Sequence, residues 1–170
     1  KSDRIDKILK YGYQNDLPFR QNSVRIAVSR EPIKRFLSAA EYIRSEYERV
    51  KDTTDPYNIG RMSDVQELPD DLDELIEGIR NHEIVNSHFF PQVEFLGNRS
   101  QYNAIYQMRD FTKLLGFLKS RSNTEFDLTT IRENKSERLY YPSPKELTEL
   151  QASRIMKIYR EDYNYGWTED

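Results

Sequence analysis

The stretch VSREPIKRFLSAAEYI, residues 28–43, runs from an apolar strand into an arginine, across one acidic residue and through proline into a helix. SVRIAVS, residues 23–29, alternates and is rich in β-branched residues, the pattern of a half-buried strand. Pro32 suits a first helical turn, where its missing N–H costs nothing. Ile33, Phe36, Leu37, Ala40, Ile43, Tyr47 and Val50 then recur at helical spacing. Arg30 is therefore expected at the carboxyl end of a strand, just before a helix N-terminus. Ligands of open α/β sheets collect beyond such strand ends. Unpaired amides at a helix start attract anions, and a guanidinium offers a planar fork that matches phosphate oxygens. Ser38 lies on the line Glu31–Arg35–Ser38 beside the apolar stripe. Two helical turns rise about 11 Å, so Arg30 and Ser38 are candidates to grip one anionic group together. The alternative is that Arg30 pairs with Glu31 or a neighbouring helix and Ser38 only faces solvent.

Outward from that stretch, the pattern alternates between helix and strand. Pro69 is expected to open a helix with Leu72, Leu75, Ile76 and Ile79 inward, its acidic start (Asp70, Asp71, Asp73) suiting the helix dipole better than a metal. YNAIYQM, 102–108, reads as a second strand, followed by a helix from Asp110 to Lys119. Pro144 is expected to open a last helix to about Tyr165, with the stripe Leu147, Leu150, Ile155, Ile158 and Tyr159. Strands separated by helices predict an α/β layer fold with a mainly parallel sheet. The 170 residues suit a single domain spanning 1–170. A net charge of −3 gives no general grip on nucleic acid or an anionic membrane, so any anion site must be a local cluster. With no cysteine there are neither disulfides nor thiolate metal sites, and two histidines alone cannot hold zinc, so no metal is expected. No apolar run approaches the ~20 residues of a membrane span.

VSREPIKRFLSAAEYI resembles the 3′-phosphate-binding motif of the sulfotransferases: a strand ending in arginine, then aspartate and proline, then an arginine, and a serine eight residues after the first arginine. The likeness continues in order along the chain. NSHFFPQVEFLG is similar to a carbohydrate-sulfotransferase segment in which histidine precedes a proline–glutamine pair. YNAIYQMRDFTKLLGFL resembles the following strand, acidic residue and helix. RENKSE resembles an asparagine–x–serine segment, and IYREDYNYGW a C-terminal helix bearing tyrosine and aspartate and closed by an aromatic. These blocks cover roughly residues 22–167. The resemblance implies a three-layer sulfotransferase fold, related to the P-loop NTPases. It also implies sulfo transfer from 3′-phosphoadenosine 5′-phosphosulfate to a hydroxyl of a glycan or other acceptor. Arg30 and Ser38 would hold the donor's 3′-phosphate, and Asn134, Lys135 and Ser136 would close over the nucleotide. Ser29, Glu31 and Ala40 depart from the usual pattern, though none removes a phosphate ligand.

His88 is the candidate general base by residue type, since a neutral imidazole accepts a hydroxyl proton; the plainer reading is that it orders its loop. The family's phosphosulfate-binding loop, a glycine- or hydroxyl-rich turn with a cation, has no counterpart upstream of Ser23. The expectation is a chain lacking the first strand and loop of a longer protein. Two other readings stay open: a relic that binds phosphonucleotides without catalysis, and a P-loop-type small-molecule kinase. Absent cysteines and an absent anchor lean towards a bacterial, cytoplasmic setting over the Golgi lumen.

Overall fold

The computed structural model describes residues 24–54, 65–121 and 139–167. The chain divides into two compact units drawn from alternating stretches: a strand unit from 1–30, 91–126 and 160–170, and a helical unit from 31–90 and 127–159. Both helix and strand are present, with a two-stranded parallel sheet, as an α/β composition requires.

The strand unit holds β1 (Ile26–Ser29) and β2 (Ala104–Gln107), paired in parallel with Ile26 opposite Ala104 and Ser29 opposite Gln107. Both strands fall within the stretches expected from the sequence, 23–29 and 102–108, and are shorter than those stretches. A short helix α3 (Gln92–Leu96) precedes β2. A tight turn at Met108–Asp110 follows β2 and leads into α4 (Phe111–Arg121). The helix expected from Asp110 therefore begins one residue later. The unit closes with α6 (Arg160–Asn164) and the buried Trp167, whose indole N–H donates to the Gly97 carbonyl at 2.9 Å. Tyr102 meets Trp167 edge-on at 5.3 Å and donates its hydroxyl proton to the Leu96 carbonyl.

The helical unit is built on α1 (Pro32–Val50), with the bounds expected from its stripe. Phe36, Leu37, Ala40, Ile43 and Val50 are buried along it. They pack with α2 (Leu72–Arg80) and α5 (Glu149–Ile158) into a core that includes Leu75, Ile76, Phe89, Ile155 and Tyr159. Phe36 sits at its centre, 5.3 Å from the ring of Phe89 and 6.4 Å from that of Tyr159.

Two helix starts differ from expectation, and in both a capping side chain outranks a proline. Pro69 lies outside α2; Asp71 caps it, accepting the Glu74 amide at 3.0 Å. Asp70 instead pairs with Arg44 at 2.6 Å, and Asp73 with Arg154 at 3.2 Å. Pro144 lies in a turn. The last helix begins at Glu149, behind a capping box in which Thr148 accepts the Gln151 amide and Gln151 accepts that of Thr148. It also breaks at Tyr159 into α5 and α6, and Leu150 points to solvent, 59% exposed, instead of joining the stripe. Among the described residues, no helix is long and apolar enough to cross a membrane.

Candidate functional site

Arg30 follows β1 directly, at the carboxyl end of the parallel pair. Its backbone is held on both sides by one buried side chain. The Arg30 amide donates to Gln92 Oε1 at 2.8 Å, and Gln92 Nε2 donates to the Arg30 carbonyl at 2.9 Å. The glutamine amide thus acts as one more rung of the ladder, fixing the peptide that carries the guanidinium. Gln92 is in turn seated by its neighbour. The Val93 amide donates to Oδ1 of the fully buried Asp162 at 2.8 Å, which supplies the cap that Pro91 cannot give α3. One chain of contacts therefore joins the strand-end arginine, the proline–glutamine pair and the aspartate of the C-terminal helix.

Of the two roles the sequence left open for the helix start after Arg30, anion seat or capping by Glu31, the structure has the second. Glu31 caps α1 with both carboxylate oxygens, accepting from the amides of Ile33 and Lys34 at 2.9 Å each. Those amides are committed to the protein's own carboxylate and do not form an anion seat. The Glu31 charge thus serves the start of its own helix.

In the helical unit, Ser38 is half-buried on α1, and Tyr42 stands one turn later on the same face. The Tyr42 ring lies 5.2 Å from that of His88, so the face carrying Ser38 leads to the imidazole. His88 sits in a tight turn, Ser87–Phe89, capped by Asn86. Asn86 Oδ1 accepts the His88 backbone N–H at 3.0 Å and lies 2.9 Å from His88 Nδ1. Because the backbone N–H identifies that atom as the amide oxygen, Nδ1 donates to it; in the neutral ring this places the lone pair on Nε2, the tautomer a base requires. His82, by contrast, closes α2 in the left-handed region at φ 60°, exposed and away from these contacts.

Arg30 belongs to the strand unit, and Ser38 and His88 to the helical unit. Asn134, Lys135 and Ser136 lie outside the described residues. Nearby, however, the buried carboxylate of Glu41 receives the returning chain: Leu139 N–H donates to Oε1 at 2.6 Å, Tyr141 N–H to Oε2 at 3.2 Å, and Tyr140 N–H spans both. Sequence reading assigned no role to Glu41 or Gln92. Glu41 shows as one polar residue inside an apolar helical run. Gln92 shows only as half of a motif pair. Asp110 stays in its own element, 2.9 Å from Lys113 and 3.9 Å from Arg109. Tyr159 and Trp167 are core residues, whereas Tyr165 is exposed.

No protein-family model matches the chain, and no curated protein or solved structure matches it either.

Proposed function

We propose that the protein is a sulfotransferase-like domain that binds a 3′-phosphoadenosine nucleotide and transfers a sulfo group to a hydroxyl, with a glycan as the leading acceptor class. The observation that carries this reading is the double hydrogen bond from buried Gln92 to the backbone of Arg30. It gives a physical reason for a strand-end arginine and a distant proline–glutamine pair to occur in one chain. The same reading takes the fold as the three-layer sulfotransferase form.

The donor's 3′-phosphate would be held by Arg30 through its fork and by Ser38 through its hydroxyl. With the α1 amides taken by Glu31, side chains and not the helix start carry that recognition. Bound 3′-phosphoadenosine 5′-phosphosulfate supplies the activated sulfo group. His88 Nε2 accepts the proton of the attacking hydroxyl, and Asn86 holds the ring in the tautomer that leaves this nitrogen basic.

Titration of 3′-phosphoadenosine 5′-phosphate against adenosine 5′-phosphate tests the binding half. A marked preference for the 3′-phosphate is expected, and Arg30→Ala should cost it about 1.5–3 kcal/mol, the range for hydrogen bonds to charged groups. Equal affinity for both nucleotides sinks the assignment and favours a kinase-type phosphate site. Transfer of labelled sulfate tests the chemistry. His88→Ala should lower turnover by roughly 10²–10⁴ with nucleotide binding retained. Binding of the 3′-phosphate nucleotide without any transfer would leave a binding module.

A further inference from the structure

The strand unit contains a separate polar pocket of about 220 Å³ at the carboxyl end of β2. Tyr106 and Gln107 of the strand line it, together with Asp110, Lys113, Arg99 and Gly166. It is smaller than the ~300–1,000 Å³ of drug-sized sites and far larger than the roughly 10–15 Å³ that one water needs.

Three features make it a built site. The Arg99 guanidinium and the Gln107 amide have no side-chain hydrogen bond or ion pair among the described residues, although both line the cavity. Gly166 takes φ 70°, and a Cβ there would lie 3.3 Å from both Cδ and Nη1 of Arg99. The arginine therefore lies across a stretch of bare backbone that a side chain would crowd. Lastly, the charges do not cancel. Lys113 is 2.9 Å from Asp110, which leaves the Arg99 charge as a surplus of one.

A single positive surplus matches a monoanion, a carboxylate or a sulfate ester, better than a phosphate monoester carrying about −1.5 to −2. Asp110 can accept, and Gln107 can both donate and accept, so hydroxyls beside the anion would find partners. We propose that this pocket binds a small hydroxylated monoanion. Arg99 forks its charged group, Gln107 and Asp110 take its hydroxyls, and Gly166 leaves the arginine room. The assignment stands independently of the sulfotransferase reading.

Calorimetric titration of the full chain with glucuronate, glucose 6-sulfate, glucose 6-phosphate and glucose tests it. At least one of the two monoanions should bind tenfold or more tightly than glucose, and more tightly than the phosphate. Which of them binds better tells whether a carboxylate or a sulfate ester is the natural group. Arg99→Met and Gln107→Leu, each checked for an unchanged thermal midpoint, should weaken that binding at least tenfold and about threefold respectively. No binding of either monoanion at millimolar concentration, equal binding of glucose, or full affinity in the folded Arg99→Met variant would overturn the proposal.

Discussion

Glu41 faces a problem common to buried carboxylates: it has left water, and no cation pairs with it among the described residues. Three successive backbone amides supply the partial positive charge instead. Glu41→Ala would strip three amides of their acceptor, that of Tyr141 buried and those of Leu139 and Tyr140 partly open to water. At about 1–3 kcal/mol for the buried unsatisfied group, a loss of roughly 2 kcal/mol is expected in urea denaturation. A change below half that would mean that water replaces the carboxylate. Ser29 presents the opposite case. Its hydroxyl is fully buried and has no partner among the described residues. Ser29→Ala should therefore raise stability by about 1 kcal/mol, read as a higher denaturation midpoint at unchanged slope. Neither effect was legible in the residue types. A glutamate inside an apolar stripe and a serine at a strand end look alike until the surrounding donors are known.

At the scale of elements, periodicity gave the middle of each helix and capping gave the ends. α1 runs from Pro32 to Val50 because Glu31 caps it, Pro32 fits its first turn and its apolar spacing persists throughout. The last helix shows what spacing misses. Pro144 is a weaker start signal than Thr148 and Gln151, whose reciprocal bonds satisfy two amides at once. Thr148→Ala should cost about 1 kcal/mol and lower hydrogen-exchange protection chiefly at the first turn of α5. Loss spread evenly along the helix would argue against a local cap. Two elements then meet through charge: Arg154 of α5 reaches Asp73 and Glu77 of α2, and Gln151 adds a hydrogen bond to Asp73. These contacts are partly exposed and set the register of the pair more than its stability.

At the scale of the whole chain, two units are assembled from interleaved stretches, and stability is a property of contacts distant in sequence. Tyr141 illustrates this within the helical unit. It is buried, donates to the Pro69 carbonyl at 2.6 Å, and burial pushes its phenol up to about 12 from the ordinary 10.0. The folded form therefore holds a proton that the unfolded form releases sooner. The contribution is fully present below pH 10 and is lost as pH rises from 10 to about 12. At 1.36 kcal/mol per pKa unit, the loss amounts to about 2–3 kcal/mol across that window. Tyr141→Phe should flatten this part of the stability–pH curve while being less stable near neutrality. An unchanged slope in the variant would assign the alkaline loss to other groups.

The amino-acid order alone determined the two strand segments, the long α1 and the placement of an arginine where strand gives way to helix, because each rests on local period and local steric rules. Tertiary structure decided which polar groups meet. Gln92 clamps a peptide 62 positions away, and Glu41 receives the amides of Leu139, Tyr140 and Tyr141. The reason is physical. Hydrophobic spacing repeats within one element and can be read along the chain, whereas a hydrogen bond depends on distance and angle between atoms that only packing brings together.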